Sequence, residues 1–422
     1  MRRLRNIQSI DIEGKTVLMR VDHNVVKKGK IIDTYRIDAS LPTIKYVIDH
    51  KAKLILMTHV GRPRDKNTGM IEITSKTAVT PIVEYLRSKG ICIAELRIEN
   101  YDKYGIENLS SSEITTLFEK SHSDVIYLPN TRWFKGEEAK DNKKIELGKI
   151  FADSADVFVN DAFGSWQPHA STTEPAKIIP AYAGLLMQKE IDNLDKVINP
   201  ERPFIAVIAG SKFDTKIQPL KALLKKTDYL LLGGVIFNAY LSAKYKIYID
   251  SVTEADIKVA DEFVKLTEKY PDKLIEPKYI VESDILEGME EGKYRKHRVS
   301  DLKKGQKLNF VLDIANESFD DEVIKKVFSS AGTFFVNAVM GLTPHFSDGT
   351  IALDKIIARN KKAVKLFGGG DTLQEFKTLL PELYKKALAD SSYYFFTGGG
   401  TILKAISENS PWGLEPVQLL LE

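Results

Sequence analysis

The chain has 422 residues, more than one hydrophobic core usually organises, so two domains are expected. Its 61 basic and 58 acidic residues leave a formal net charge of +3, which gives no reason to expect a nucleic-acid or membrane partner. A single cysteine, Cys92, excludes an internal disulfide. The N-terminus lacks the apolar stretch of a signal peptide and no apolar run could span a bilayer, so we expect a cytoplasmic protein with Cys92 buried in a strand.

Short apolar runs alternate with longer segments of helical periodicity, which is typical of parallel sheets flanked by helices. In the first half, the predicted strands cover residues 16–22, 53–59, 91–96, 125–130 and 156–161. In the second half, they cover residues 203–210, 229–234, 308–315, 333–339, 364–370 and 393–400. The sequence therefore predicts an α/β protein with two Rossmann-like lobes, each a parallel sheet flanked by helices.

One amphipathic helix is predicted over residues 184–199, where Asn199-Pro200 ends it. We interpret this helix as the connection between an N-terminal lobe (1–183) and a C-terminal lobe (200–405). The charged stretch 287–307 predicts a surface excursion.

Three glycine clusters in the second half, at 231–235, 367–372 and 396–401, each follow a predicted strand and precede a predicted helix. One such cluster is explained equally well by a tight turn. Three in one lobe favour a phosphate-binding site, because glycine lets the backbone approach a ligand whose charge the next helix N-terminus attracts. Asp371 is placed to meet a phosphate-bound Mg²⁺.

Two lysines, Lys212 and Lys216, follow the strand at 203–210. Their i, i+4 spacing places both on one face of a helix, where they could reach a phosphate chain, although two exposed lysines are more often a solvated surface. The P-loop pattern and the protein-kinase motifs are absent from the sequence.

Cationic residues of the first half cluster at predicted strand ends: Arg20, Arg36, His59, Arg62 and Arg132. Any one of them could be an ordinary surface residue. Together they indicate a site for a multiply charged anion, since arginine matches phosphate and carboxylate geometry. No nucleophilic triad or metal-ligand spacing accompanies them. A transfer to an attacking group that is already an anion needs positioning and charge neutralisation rather than a general base.

The segment KTVLMRVDHNVV (15–26) resembles the R-x-D-x-N signature of the phosphoglycerate kinase family. Further segments similar to the family follow in its order, at 31–63, 130–138, 157–164, 209–216, 336–342, 367–372 and 396–400. The resemblance implies reversible phosphoryl transfer between 1,3-bisphosphoglycerate with ADP and 3-phosphoglycerate with ATP in glycolysis and gluconeogenesis. It also implies hinge-bending closure of the lobes, a C-terminal segment (406–422) that returns to the first lobe, and Mg²⁺ carried by the nucleotide. A monomer is expected.

The resemblance assigns binding of the acidic substrate to Asp22, His23, Asn24, Arg36, His59, Val60, Gly61, Arg62 and Arg132. It assigns nucleotide binding to Gly210, Lys212, Lys216, Gly233, Gly234, Asn337, Gly341, Gly369, Gly370, Asp371 and Thr372. Arg36, Lys212 and Lys216 would be catalytic, and Asp371 would approach the metal.

The sequence departs from the family in four segments. Where the family has a substrate-binding arginine after DAFG, this chain has Gln167, Pro168 and His169, so we expect His169 to replace part of that contact. Pro344 occupies the slot of a glutamate that meets the ribose hydroxyls. This predicts weak discrimination against deoxyribose unless Asp348 folds back or another acceptor is present. Ala338 and Val339 replace a glycine and a proline, and DIAN (313–316) replaces DIGP.

These departures leave two alternatives to a phosphoglycerate kinase. One is a related acyl-phosphate kinase acting on another small carboxylate. The other is a non-catalytic binding paralogue, although such a protein has no need to keep Arg36, Lys212, Lys216 and Asp371 together.

Overall fold

The structure is a computed structural model that describes residues 2–210 and 216–422. The chain divides into two compact units. The first unit contains Met1–Asp192 and Trp412–Glu422, and the second contains Asn193–Pro411. In the part of the chain that is described, no helix is both long and apolar enough to cross a membrane.

The first unit is built on a six-stranded parallel sheet with the order β5-β6-β4-β1-β7-β8 and a short β2-β3 hairpin. Its strands are β1 Thr16–Val21, β2 Val26–Lys27, β3 Lys30–Ile31, β4 Lys53–Met57, β5 Ile93–Glu95, β6 Val125–Tyr127, β7 Val157–Asp161 and β8 Ala181–Ala183. Its helices are α1 Tyr35–Asp49, α2 Thr80–Ser88, α3 Ser111–Ser121, α4 Asn142–Ala152, α5 Ala170–Thr173 and α6 Pro175–Ile178. α7 Leu185–Ile198 continues into the second unit.

The second unit is also built on a six-stranded parallel sheet, with the order β12-β10-β9-β17-β18-β19. Its strands are β9 Phe204–Ala209, β10 Tyr229–Gly233, β11 Tyr248–Ile249, β12 Leu274–Ile275, β13 Tyr279–Ser283, β14 Tyr294–Arg298, β15 Lys307–Leu308, β16 Phe310–Ile314, β17 Thr333–Asn337, β18 Val364–Gly368 and β19 Tyr393–Phe396. Its helices are α8 Ile217–Lys226, α9 Gly234–Tyr245, α10 Glu254–Thr267, α11 Glu322–Ser330, α12 Asp348–Arg359, α13 Gly370–Leu379, α14 Pro381–Leu388 and α15 Gly399–Glu408.

The central strands are buried along almost their whole length, which explains why their sequences are continuous apolar runs. Some helices begin at residues with side-chain caps. Ser110 and Glu113 form a capping box at α3, and Thr253 and Asp256 form one at α10.

The chain termini lie together in the first unit. The N–H of Arg5 donates to the carbonyl of Leu420 (2.8 Å), and the N–H of Glu422 donates to that of Arg3 (3.1 Å). α16 Glu415–Gln418 lies in this returning segment. The return begins at Trp412 rather than at residue 406, because α15 continues to Glu408 and packs on α8 within the second unit.

All the predicted strands are present, each shorter than predicted, but residues 308–315 were wrongly assigned to the parallel sheet: β16 pairs antiparallel with β13 in a separate sheet. Two other predictions were wrong. Cys92 is exposed, because β5 begins one residue after it. The stretch 287–307 is not only a surface excursion, since it contains β14, which pairs with β13 in a three-stranded antiparallel sheet.

Candidate functional site

The candidate anion site of the first unit lies at the carboxyl ends of its central strands. The chain runs from β1 to β4 on one side and later to β7 on the other, so β1 lies where the strand order reverses. Ligands of open parallel sheets bind at this position. Arg20 lies within β1, and Asp22 and Asn24 follow it directly.

Arg20 is a fully buried cation with several internal partners. Its Nε donates to Ser171 Oγ (2.8 Å), and its Nη1 donates to the carbonyl of Val21. Ser171 in turn donates its hydroxyl to Glu137 Oε1 (2.7 Å) and its N–H to Glu137 Oε2 (3.0 Å). Burial lowers the pKa of Arg20, while the negative charge of buried Glu137 opposes that shift. Glu137 therefore compensates a cation that lies inside the unit.

Arg20 also fixes the protonation of His59, because its Nη2 lies 2.9 Å from His59 Nδ1. A guanidinium can only donate, so Nδ1 accepts and the proton of a neutral ring lies on Nε2. Burial and then the charges of Arg20 and Arg132 hold the pKa of His59 well below its usual range. His59 therefore offers a neutral N–H donor.

Arg36 and Asp22 form the ion pair nearest to the start of α1. Arg36 Nη1 lies 3.1 Å from Asp22 Oδ2, and the two side chains are 26% and 5% exposed. The other oxygen of Asp22, Oδ1, is buried and has no hydrogen-bond partner among the residues described. The pair therefore combines a partly exposed cation with an acceptor that is available to a ligand hydroxyl.

The loop after β4 is held by side-chain amides. Asn24 Oδ1 accepts from the N–H of Gly61 (2.9 Å), and Asn130 Oδ1 accepts from that of Val60 (3.0 Å). Asn130 also donates to the carbonyl of Val60 (2.7 Å). Gly61 has φ +62°, a conformation that favours glycine. Because these N–H groups are already bonded, Val60 and Gly61 shape the loop rather than supply free donors.

Two arginines flank this loop differently. Arg132 donates to the carbonyl of Gly61 and lies 3.0 Å from Glu138 through its Nε, with only 10% of its side chain exposed. Arg62 is exposed and makes no hydrogen bond or ion pair with any residue in 2–210 or 216–422. Arg62 is therefore free to meet a ligand, whereas Arg132 is already fixed.

His23 lies in the core rather than at a ligand surface. Ser40 Oγ donates to the carbonyl of Ile37 (2.9 Å), so it accepts from His23 Nε2 (2.8 Å). His23 Nδ1 then accepts from the hydroxyl of Tyr127 (2.9 Å). Burial lowers the pKa of His23 to about 3. The side chain assigned to substrate binding by resemblance thus supports the β1 end from inside, because both of its nitrogens are bonded within the protein.

The segment after β7 brings His169 to the site at the start of α5. Gln167 and Pro168 are exposed, and His169 is half-buried. Burial lowers the pKa of His169 below its usual value, although Glu137 and Glu138 oppose the shift. His169 is therefore neutral near pH 7, so any charged contact that it makes in place of the family arginine is confined to lower pH.

The second unit has a cavity of about 590 Å³ at the carboxyl ends of β9, β10, β17 and β18. Most of the residues that the resemblance assigned to the nucleotide line it, namely Gly210, Lys216, Gly234, Asn337, Gly341, Gly369, Gly370, Asp371 and Thr372. Gly233 is instead required by packing, because a Cβ there would lie 2.4 Å from Met340 Sδ. Lys212 lies outside the described residues.

Lys216 is the cation of this cavity. Its Nζ donates to Asn337 Oδ1 (2.7 Å) and to the carbonyl of Ala209, and Asn337 donates to the carbonyl of Gly368. Burial lowers the pKa of Lys216 to about 8, while the charge of Asp371 opposes the shift. These bonds join the ends of β9, β17 and β18 around one ammonium group.

The glycines at the start of α13 leave room for a ligand. Gly369 has φ +119°, and a Cβ there would lie 2.7 Å from Asn337 Nδ2. A Cβ at Gly370 would meet no atom within 4 Å. The first N–H groups of α13 are therefore accessible to an anion, which the helix dipole also attracts.

Asp313, in β16, contacts the two ends of the loop that follows β17. It is 4% exposed, and its carboxylate accepts from the N–H groups of Ile314 (2.8 Å) and Gly349 (3.1 Å). Burial raises the pKa of Asp313 to about 7. A Cβ at Gly341 would lie 2.5 Å from Asp313 Oδ1, so Gly341 is needed for packing as well as for the cavity.

Several functional residues were not singled out from the sequence. Glu137 opposes the charge of Arg20, and Ser171 bridges the two by hydrogen bonds. The two adjacent acids in NTRWFKGEE are the sequence signal that could have indicated Glu137. Glu375 and Leu286 line the cavity of the second unit. Glu375 lies four residues after Asp371, a helical spacing that could have indicated it, whereas Leu286 gave no signal.

The two sites together define a class of α/β protein. Each lies at the carboxyl edge of a six-stranded parallel sheet. The site of the first unit contains several cations and a carboxylate oxygen without a partner among the residues described. The site of the second unit is a glycine-rich cavity with a helix N-terminus and a lysine. This is the class of enzymes that transfer a phosphoryl group between a small anion and a nucleotide.

Comparison with known proteins makes the class more specific. A sequence model of the family described as phosphoglycerate kinase matches residues 7–409. A phosphoglycerate kinase of Dictyoglomus turgidum is 34% identical over 98% of this chain and 98% of its own. Another, from Pseudothermotoga lettingae, is 33% identical over 97% of this chain and 98% of its own.

Solved structures agree with these sequence matches. Phosphoglycerate kinase from Coxiella burnetii has a TM-score of 0.75 at 27% identity over 99% of both chains. The enzyme from Pyrococcus horikoshii OT3, with a TM-score of 0.76 at 22% identity over 99% of both chains, shows the same fold. The chain therefore belongs to the phosphoglycerate kinase family, which makes it a phosphotransferase with a carboxyl group as acceptor.

Proposed function

We propose that this protein transfers a phosphoryl group reversibly between the acyl phosphate of 1,3-bisphosphoglycerate with ADP and 3-phosphoglycerate with ATP. Family membership supports the reaction. The observation that carries the substrate assignment is the free oxygen of buried Asp22 beside partly exposed Arg36. A small acid with both anionic groups and a hydroxyl satisfies these two side chains at once, the hydroxyl donating to Asp22 and the anion accepting from Arg36.

The chemistry requires no proton transfer. In the direction of ATP use, a carboxylate oxygen of the acid forms a bond to the γ-phosphorus while the bond between that phosphorus and the β,γ-bridging oxygen breaks. ADP leaves with the electron pair. Because the nucleophile is already an anion, the protein contributes positioning and charge neutralisation.

Each cation has a distinct part in this proposal. Arg36 stabilises the phosphoryl group in transfer, since it is the partly exposed member of its ion pair. The neutral Nε2–H of His59 donates to the acid without adding charge. Lys216 neutralises nucleotide phosphates at the cavity. Lys212, assigned with Arg36 to the transferring group by resemblance, lies outside the described residues.

Magnesium would enter this site as part of the nucleotide. Within residues 2–210 and 216–422, no cluster of three or more His, Cys, Asp or Glu side chains could hold a metal ion. Asp371 fits a supporting role, because it lies in the first turn of α13, lines the cavity and is exposed. A nucleotide-bound Mg²⁺ would neutralise phosphate charge there.

A second candidate acceptor, another small carboxylate, is favoured by one observation. The segment after β7 supplies a neutral His169 where the family has an arginine, so the site has one fewer cation than the family pattern. A substrate with less negative charge than 3-phosphoglycerate would suit such a site.

A coupled assay separates these candidates. Purified protein is given ATP and Mg²⁺ with 3-phosphoglycerate, glycerate or acetate, and acyl phosphate is followed through its reduction by a coupling dehydrogenase or its trapping by hydroxylamine. We expect kcat/KM for 3-phosphoglycerate to exceed that for the other two acids at least about 100-fold, the value of one charge-assisted contact or more. A preference for glycerate or acetate, or no turnover with any acid, would overturn the proposal.

A further inference from the structure

Two carboxylates line the cavity of the second unit, and they lie on one helix. Asp371 and Glu375 are four residues apart on α13, so they share a face of that helix. The rise of an α-helix places Glu375 about 6 Å further than Asp371 from the helix N-terminus. The two acids therefore face successive parts of any ligand that lies along α13.

The order of ligand groups along the helix follows from charge. The N-terminus of α13, with Gly370 open in front of it, attracts phosphates. In a nucleotide, the group joined to the phosphate chain is the sugar. A nucleotide with its phosphates at this N-terminus and its chain running along α13 has its sugar about one helical turn further on, beside Glu375.

Glu375 is also uncommitted. It is half-buried and makes no hydrogen bond or ion pair with any residue that the structure describes. Its side chain contacts the same cavity as Thr343 and Gly341, which belong to the loop after β17. A partly buried carboxylate without a partner can accept hydrogen bonds from a ligand in the cavity.

The two other carboxylates near this loop, Asp313 and Asp348, are already hydrogen-bonded or lie outside the cavity lining. The carboxylate of Asp313 accepts from the N–H groups of Ile314 and Gly349. Asp348 is exposed in the first turn of α12 and is not part of the cavity lining, so it does not fold back as the sequence had allowed. Pro344 is outside the lining as well.

We propose that Glu375 is the residue that selects ribonucleotides, its carboxylate accepting hydrogen bonds from the 2′- and 3′-hydroxyls of the ribose. It would perform, from α13, the part that the family gives to a glutamate at the position of Pro344. This inference rests on the proposed nucleotide role of the cavity. It reverses the sequence expectation that dATP would serve nearly as well as ATP.

Calorimetric titration with ADP and 2′-deoxyADP tests the proposal without requiring turnover. The wild-type protein should bind ADP about 10- to 100-fold more tightly, because the deoxy sugar leaves a carboxylate oxygen without its donor. Glu375→Ala should bring the two affinities within about threefold, because it weakens binding of ADP more than binding of 2′-deoxyADP, which keeps only the 3′-hydroxyl as a donor to Glu375. Asp348→Asn, the matched control on α12, should keep the wild-type ratio.

The outcomes separate this proposal from the proposed reaction. A wild-type ratio near one, or an unchanged ratio in Glu375→Ala, would overturn the role of Glu375 even if phosphoryl transfer were observed. Equal weakening of both nucleotides in Glu375→Ala would contradict it too, since the carboxylate would then act on phosphates or their metal. A ratio that collapses only in Glu375→Ala would support it even if no acid were phosphorylated.

Discussion

The two candidate sites occupy equivalent edges of their sheets, yet they are built from different parts of the chain. In the first unit, the site consists of side chains that bind one another, from Arg20 through Ser171 to Glu137. In the second unit, the cavity is formed largely by backbone at glycines such as Gly369 and Gly370. A site of interlocked charges and a site of open backbone respond differently to mutation, because removing one member of the first leaves a buried charge without compensation.

The largest expected effect is on the exposed cation of the first site. Arg36→Ala should lower kcat for phosphoryl transfer to 3-phosphoglycerate by about 100- to 1,000-fold, the cost of removing one donor to transferring charge. It should also lower the free energy of unfolding by about 1–3 kcal/mol, because it leaves the carboxylate of Asp22, which is 5% exposed, without its ion-pair partner. Steady-state kinetics and a melting curve check both. Near-wild-type kcat would remove Arg36 from the transfer step.

Glu137, a buried acid of the same site, should affect stability rather than kcat. Glu137→Gln leaves Arg20 buried without its counter-charge, so the free energy of unfolding should fall by about 3 kcal/mol. Glu138→Gln is the matched control, because Glu138 is 30% exposed in its pair with Arg132 and should cost less than about 1 kcal/mol. Urea unfolding followed by circular dichroism measures the difference. Equal losses in the two variants would contradict the compensating role of Glu137.

The cavity of the second unit should show its own pH dependence through Lys216. The protonated ammonium neutralises phosphate, and its pKa of about 8 means that the charge is present below pH 8 and lost above it. Affinity for ADP should therefore be flat up to about pH 7 and fall about tenfold by pH 9. Lys216→Arg keeps its charge across this range and should bind ADP independently of pH. A flat profile in the wild type would contradict the assignment.

The smallest expected effect concerns His169. Since burial lowers the pKa of His169, its charge appears only at pH values below 6.5, not in the neutral range. Affinity for 3-phosphoglycerate should therefore agree within about twofold between pH 7 and 8, both in the wild type and in His169→Gln. Below pH 6.5 the wild type should gain affinity relative to the variant. A loss of affinity between pH 7 and 8 that His169→Gln abolishes would mean that His169 still carries charge at pH 7, and it would contradict the lowered pKa.

Much of the fold could be predicted because its buried parallel strands are continuous apolar runs such as Phe204–Ala209. β8 escaped prediction because two of its three residues are alanine, which is uncommon in strands, and β14 because its sequence YRKHR is charged and mostly exposed. Strand propensity gives no signal in either case.

The sequence predicted the motifs of the two sites, but not the burial, protonation and hydrogen-bond partners of their side chains. The sequence placed His23 and His59 together at strand ends, whereas burial made one a core residue and Arg20 fixed the tautomer of the other. The free acceptor at Glu375 depends on how α13 lies against the loop after β17, a tertiary contact that spacing alone does not reveal.

The measurement that tests the account most directly is a crossed calorimetric titration. Wild-type protein, Arg36→Ala and Lys216→Ala are each titrated with 3-phosphoglycerate and, separately, with ADP. We predict that Arg36→Ala lowers the affinity for 3-phosphoglycerate at least about tenfold and leaves the affinity for ADP unchanged. Lys216→Ala should have the opposite effect, because each cation binds a different ligand. If either substitution lowered the affinities for both ligands equally, the result would contradict two separate sites.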